Sequence, residues 1–326
     1  MSKEDFIIGS SKVQDFWKFI NDRHAIYLKR KAGEPKPWSD DPIFQEWKFT
    51  NVFRELDRGT IALRRMLKQL YEEYQHQNQC SLLLIGDGIP SGDSIDKNYI
   101  RNQFITCILY RMFNWHENAR FGPITNPTAW YKYLKSKQDN GDQIFGGAYI
   151  LPSVKGEGKL ETLERVCRGI VSEVDSLIKG IKGFSTLENA WKVLQYNCIG
   201  PFIAYEFVCD LRYTDILRNA TDTCTWCNIG SGAERGLQRM GFDVALQSIY
   251  HLYVMSYNEL RFSNVNHWIY DHFMFDRSIE GIEKNDPKYP YWELREIEHC
   301  LCEFDKYERI RLGQGRPKVK FNGVPS

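Results

Sequence analysis

Apolar side chains recur at helical spacing through much of this chain. Phe49, Val52, Phe53, Leu56, Thr60, Leu63, Leu67, Leu70 and Tyr74 fall on one face at about 3.6 residues per turn. Asn51, Arg54, Arg58 and Arg65 fall opposite, with Asp57 at the edge between the two faces. This pattern predicts a helix beginning near Trp47. The same periodicity predicts helices over about 12–31, 98–115, 126–137, 158–180, 187–194, 203–215, 233–257 and 292–310. Gly and Pro punctuate them in "AGEPKPWSDDP" (32–42), "GDGIPSGD" (86–93), "FGPITNP" (121–127) and "LPSVKGEGK" (151–159). No run of alternating strands appears, nor a repeat of 20–50 residues. The expected fold is all-α: one multi-helix domain over 1–326, its best internal boundary near 151–159.

Composition narrows the picture. The 326 residues are 42% hydrophobic and 26% charged, an ordinary globular balance. A net charge of +1 gives no whole-chain argument for a polyanionic partner, so any such argument must be local. One local candidate is 306–320, with six basic residues against one acid. It is expected to leave its helix at Gly313 and run on as an extended basic tail over 311–326. That tail is either solvated or laid on a nucleic-acid backbone. Aromatic residues reach 14% and can fill a core or grip bases. Apolar runs such as "SLLLI" (81–85) are far shorter than the roughly 20 residues that span a bilayer. "MSKEDF" carries acid and base with no apolar signal segment after it, and the nine Cys form no even framework. The expectation is a cytoplasmic protein with reduced thiols and no membrane partner.

Several chemistries lack their motif. There is no G-x-x-x-x-G-K-[ST], G-x-S-x-G or H-E-x-x-H, and "GSGAERG" (230–236) lacks the preceding strand of a dinucleotide fingerprint. Cys224 and Cys227 form a C-x-x-C, and His299, Cys300 and Cys302 could add soft ligands. Adjacent residues diverge on a helix, so structural thiols are the better reading and no metal site is assigned.

The segment "ENAWKVLQYNCIGPFIAYEFVCDLRYTD" (188–215) is more informative. A helix is expected to end near Asn197, Ile199-Gly200-Pro201 to turn, and a second helix to start at about Phe202. A simple αα-hairpin is one reading. The other is a resemblance to the helix-hairpin-helix of DNA base glycosylases, whose hairpin amides hold a DNA phosphate. A carboxylate after that hairpin often does the chemistry; Asp210, ten residues after Gly200, is closer than the usual spacing.

Six segments then occur in order: "WKFTNVFRELDRGT" (47–60), "ILYRMFN" (108–114), "FGGAYIL" (145–151), "GPFIAYEFVCDLRYTDIL" (200–217), "IGSGAERGLQRM" (229–240) and "EHCLCEFDKYERIRLGQGRPKVKF" (298–321). Together they resemble the α-helical family linked to hypermodified thymine in bacteriophage DNA. Its members are the alpha-glutamyl/putrescinyl thymine pyrophosphorylases and the helical domain of 5-hydroxymethyluracil DNA kinases. The resemblance runs from about 12 to 321 and is most distinctive in "LCEFDKYER" and "GRPK". It departs where the family's Gly-Pro-Gly reads Gly230-Ser231-Gly232.

That resemblance implies a transferase. A separate P-loop kinase would phosphorylate 5-hydroxymethyluracil in DNA, and this chain would displace the resulting pyrophosphate with an amine. Cations must neutralise the leaving group, and a carboxylate must stabilise an electron-poor ring or take a proton from the ammonium. The implied catalytic set is Asp210, Asp57, Glu206, Glu303 and Lys306. Asn51, Arg54 and Arg58, with Arg235 and Arg239, would hold pyrophosphate or phosphate, the Arg pairs acting at i, i+4. Each of these has a plain alternative as an ordinary helix-surface charge. Gly200, Pro201, Arg316 and Lys318 would contact DNA. Phe202, Tyr205, Trp226 and Phe113 could stack on an extruded base, or simply fill the core. No cofactor is required beyond an amine or amino-acid co-substrate, with a divalent metal accompanying pyrophosphate as an option. Two alternatives stand beside this one: a base glycosylase, and a non-catalytic DNA-binding partner of the kinase.

Overall fold

The structure, a computed structural model, describes residues 3–84, 97–147, 156–196, 198–262, 292–315 and 320–321. The described residues are all-α, with no strand beyond an isolated bridge between Trp47 and Lys320. In chain order the helices are α1 (Lys3–Lys31), α2 (Pro42–Glu46), α3 (Arg58–Leu84), α4 (Lys97–Phe113), α5 (Pro127–Asp139) and α6 (Lys159–Ser172). Then follow α7 (Val174–Lys182), α8 (Leu187–Leu194), α9 (Pro201–Leu211), α10 (Ser231–Arg239), α11 (Leu246–Phe262) and α12 (Leu294–Arg311).

Two compact units divide the chain. Unit 1 is Met1–Asp57 with Thr223–Ser326, and unit 2 is Arg58–Asp222. The division therefore falls at 57/58 and 222/223. The stretch 151–159 lies within unit 2, and residues 148–155 are outside the described ones.

Caps place several helix starts where the sequence puts them. Asn126 caps α5 by accepting from the Ala129 amide at 3.1 Å, with Pro127 behind it, and Thr186 caps α8 by accepting from Asn189 at 3.2 Å. Two predicted helices are each broken in two. Glu173 separates α6 from α7, and Gly241, at φ 80°, stops the chain between α10 and α11.

The larger departure is at 47–57, which is not α-helix. A 3-10 turn spans Arg54–Leu56, and α3 starts only at Arg58. Side chains from elsewhere in unit 1 satisfy the backbone here in place of helical hydrogen bonds. Arg23 donates to the Phe49 and Thr50 carbonyls, and Glu303 accepts from the Thr50 amide. Asp57 accepts from the Asn51 amide, and the Asn51 side chain donates to the Leu56 carbonyl. Arg54 and Arg58 are consequently not one turn apart on a single helix. Arg54 belongs to unit 1, and Arg58 opens α3 in unit 2.

The core of unit 1 is aromatic. Phe16 and Phe19 of α1, Phe44 of α2, Phe49, and Phe304 and Tyr307 of α12 interlock with ring centroids 5.2–6.2 Å apart. In the same unit α10 lies directly on α12. A Cβ added at Gly232 would come within 2.9 Å of the Cys302 sulfur, and one at Gly236 within 2.6 Å of the Leu301 carbonyl oxygen. The closely spaced glycines of 230–236 are thus a helix-packing face. Unit 2 is built around α4, which is buried from Gln103 to Phe113 and packs on α3, α6, α7 and α9.

Candidate functional site

In unit 2, α4 and α9 bring Arg111 against Asp210. Arg111 Nε lies 2.5 Å from Asp210 Oδ2, Nη2 reaches Oδ1, and Glu206 Oε2 is 3.9 Å from Nη1. Asp210 is 1% exposed, and both of its oxygens are engaged by one guanidinium. Around the pair, burial is the main cause raising the thiol of Cys107 and the hydroxyl of Tyr110 well above their ordinary values. Arg58 is partly buried, and its Nε has no hydrogen-bond partner among the described residues. Phe202 is 48% exposed, whereas Tyr205 and Phe113 are core residues, Phe113 stacked on Phe145.

The hairpin itself forms. Gly200 caps α9 and Pro201 is its first residue. The residue with left-handed backbone is Cys198, at φ 69°; Gly200 sits at φ −81°, and a Cβ added there would meet open space. The turn therefore does not require glycine on conformational grounds.

Unit 1 gathers more of the predicted set. On segment 50–57, Asp57 accepts from the Asn51 side chain at 2.9 Å and is paired with Arg54. The Asn51 side-chain oxygen, Oδ1, accepts from Arg23 Nη2 at 2.9 Å. Glu303, on α12, bonds the Thr50 amide at 3.0 Å and Lys306 at 2.7 Å. Lys306 Nζ also lies 4.6 Å from the Phe49 ring centroid. Burial alone would raise Glu303, but Lys306, the Thr50 amide and Arg54 together hold it below the usual carboxylate range. It is ionised at neutral pH. Arg23 is pulled down to about 10, first by burial and then by Arg30, against the pull of Asp57. The result is two carboxylates among Arg23, Arg54 and Lys306, in one unit and tied to one loop.

The second arginine pair is also accounted for. Arg235 and Arg239 of α10 both donate to Asp305, each at 2.8 Å, and Arg309 joins them at 3.1 Å. One fully buried carboxylate thus organises three guanidinium groups, leaving a local excess of positive charge. Trp226 is half-buried, and Arg316 and Lys318 lie outside the described residues. Cys224 contacts the Tyr253 hydroxyl at 3.2 Å, and the His299 ring faces the Arg295 carbonyl at 2.9 Å. Among the described residues no group of three or more His, Cys, Asp or Glu could hold a metal ion, and no helix is long and apolar enough to cross a membrane.

Sequence reasoning missed Arg23 and the cavity it borders. The cavity, about 330 Å³, lies in unit 1 between α1, α2 and segment 47–49. Arg23, Arg30, Lys36 and Lys48 line it, and among the described residues no carboxylate does. Its rings are Trp38, Phe44, Trp47, Phe49 and Phe321. The available signal was the interleaving of bases and rings in "KPW" and "EWKF", which reads as loop and helix start on periodicity alone.

Three comparisons complete the description. The family model described as 5-hmdU DNA kinase, helical domain, matches residues 10–85 and 92–316. A relative named 5-hmdU DNA kinase, from Bacillus phage SP10, is 24% identical over 352 aligned positions covering 95% of this chain and 48% of that protein. The chain thus spans about half the length of the curated relative it matches. No solved structure matches.

Proposed function

The chain belongs to the family of the 5-hmdU DNA kinase helical domain, and from that premise we propose that it is a DNA base-modifying transferase. It displaces pyrophosphate from 5-pyrophosphomethyl-uracil in DNA and installs an amine on the exocyclic carbon. What supports this reading is the cluster on segment 50–57: Glu303, held ionised, and Asp57 beside Arg54, with Arg23 and Lys306 in the same network.

The reaction breaks the bond from the C5 methylene to the pyrophosphate oxygen and forms a C–N bond there. The electron pair leaves with pyrophosphate, and the ammonium proton passes to a base or water. Departure leaves positive charge on the methylene and ring, which a fixed carboxylate stabilises. The leaving group gathers negative charge, which fixed cations stabilise. Glu303 has the first role and is kept ionised for it by Lys306 and the Thr50 amide. Arg54 has the second, oriented by Asp57. Arg235, Arg239 and Arg309 carry surplus positive charge suited to the DNA backbone.

The test is an oligonucleotide carrying 5-pyrophosphomethyl-uracil, incubated with a panel of amines and the full chain. Pyrophosphate release with a matching gain in nucleoside mass is expected. Unchanged DNA across the whole panel overturns the proposal, and alkali-labile abasic sites would replace it with a glycosylase. Glu303→Gln is expected to lower turnover by about a hundredfold while DNA binding stays within about twofold. Full turnover in that variant would remove Glu303 from the chemistry.

A further inference from the structure

The unit 1 cavity takes part in none of the steps above. Its basic side chains come with ring faces, and the two are within reach of one small ligand. Lys36 Nζ lies 5.2 Å from the Trp38 ring centroid and 5.3 Å from that of Phe321. Trp38 and Phe321 are half-buried at 6.4 Å from one another, whereas Phe44, Trp47 and Phe49 are buried beneath.

Arg23 points to what the cavity takes. It is 5% exposed, and three hydrogen bonds fix its guanidinium to the Phe49 and Thr50 carbonyls and to Asn51. Its Nη1 is buried with no hydrogen-bond partner among the described residues. A buried donor left unpaired is costly, and an anionic oxygen brought to it removes that cost. The guanidinium is already oriented, so little further ordering is needed on binding.

We propose that this cavity is a nucleotide-binding site. A flat base stacks on Trp38, and the phosphate oxygens meet Arg23 with Arg30, Lys36 and Lys48. The chemistry narrows the choice. An apolar ligand would leave the buried Arg23 Nη1 donor unpaired, and an acidic peptide would leave the rings unused. A volume of about 330 Å³ is at the lower end of small-ligand sites and suits a mononucleotide. That nucleotide can be free, or it can be a residue swung out of a DNA strand. The inference goes beyond the transferase reading, and its readout is binding, so either can fail without the other.

The experiment is calorimetric titration of the full chain with four probes: thymidine 5′-diphosphate, thymidine, inorganic pyrophosphate, and a short single-stranded oligonucleotide with one 5-hydroxymethyluracil. The diphosphate or the oligonucleotide is expected to bind about tenfold or more tightly than thymidine or pyrophosphate alone, because base and phosphate are read together. A preference for the diphosphate assigns a free nucleotide, and a preference for the oligonucleotide assigns an extruded one. Trp38→Ala is expected to weaken binding about tenfold, with Trp38→Phe recovering most of it. Lys36→Ala with Lys48→Ala is expected to weaken binding and flatten its salt dependence. These side chains lie at the rim, and unchanged melting temperatures will confirm that the variants fold. The proposal is overturned if neither the diphosphate nor the oligonucleotide binds, or if the Trp38 and lysine variants both bind within twofold of the parent.

Discussion

Each unit holds an aspartate against an arginine, and the two pairs have different surroundings. Asp210 and Arg111 in unit 2 are sealed from solvent, with both Asp210 oxygens on one guanidinium and the buried Glu206 carboxylate 3.9 Å from it. Asp57 and Arg54 in unit 1 are part of an open set, where cations outnumber acids and Asn51 and Arg23 continue the network to a cavity. A buried carboxylate with both oxygens engaged by one guanidinium is tightly held. A partly exposed set with surplus charge can still respond to a substrate. Residue type and helical spacing do not separate the two cases; the partners do.

The comparison can be broken most sharply at Arg111. Arg111→Ala leaves Asp210 charged and buried, and should cost roughly 3–5 kcal/mol in urea unfolding. Arg111→Met with Asp210→Leu and Glu206→Gln should recover most of that loss, because no buried carboxylate is then left facing the site. Asp57→Asn keeps its neighbours partly hydrogen-bonded and should cost only about 1–2 kcal/mol. Equal losses at the two sites would end the distinction.

A sealed cluster that is not balanced sharpens it. In unit 1, Arg295 pairs with both Glu55 and Glu296, all three buried. Burial is the main cause pushing Glu296 from 4.5 up to about 7; Arg295 opposes it, while Glu55 and Glu293 add to it. An acid whose folded value is raised binds its proton more readily folded than unfolded. Stability from this group is therefore full below about 4.5 and is lost as pH rises towards 7. Glu296→Gln should flatten that slope in thermal unfolding between those limits. A slope unchanged in the variant would place the proton elsewhere.

Packing predicts a smaller effect. Gly236→Val forces α10 away from the Leu301 carbonyl and should cost about 1–3 kcal/mol, read as a lower melting temperature. Valine at Gly241, where a side chain meets open space, should be strained only by its φ of 80°.

How much of this was legible follows from where the forces are local. The all-α fold is readable from the period, and the starts of α5, α8 and α9 from a local signal beside it: Asn126 with Pro127, Thr186, and Pro201. The period puts Phe49, Val52, Phe53 and Leu56 on one face, and all four are buried. It also predicts a helix there, which does not form because the segment's hydrogen bonds go to Arg23 and Glu303, far away in sequence. The same distance hid Arg111 as the partner of Asp210 and Asp305 as the partner of Arg235 and Arg239. The glycines of α10 carried no local sign that they face Leu301 and Cys302. A period reports which face is buried; it does not report which carboxylate a guanidinium will find.

The smallest stability effect belongs to Gly200, and it bears on the open edge of unit 2. At φ −81° alanine is allowed there, and the added Cβ touches nothing within 4 Å. Alanine restricts the unfolded chain, which favours folding by some tenths of a kcal/mol, and is a slightly poorer N-cap, which opposes it. The two effects nearly cancel, so Gly200→Ala should shift stability by less than about 0.5 kcal/mol. If the amides at the start of α9 hold a DNA phosphate, as the hairpin reading proposes, that Cβ stands in the space where the strand must approach. DNA affinity should then fall by about three- to tenfold in a salt titration, with the melting temperature unmoved. Unchanged affinity would leave the hairpin as a connection between α8 and α9, and would confine nucleic-acid contact to the charged side chains of unit 1.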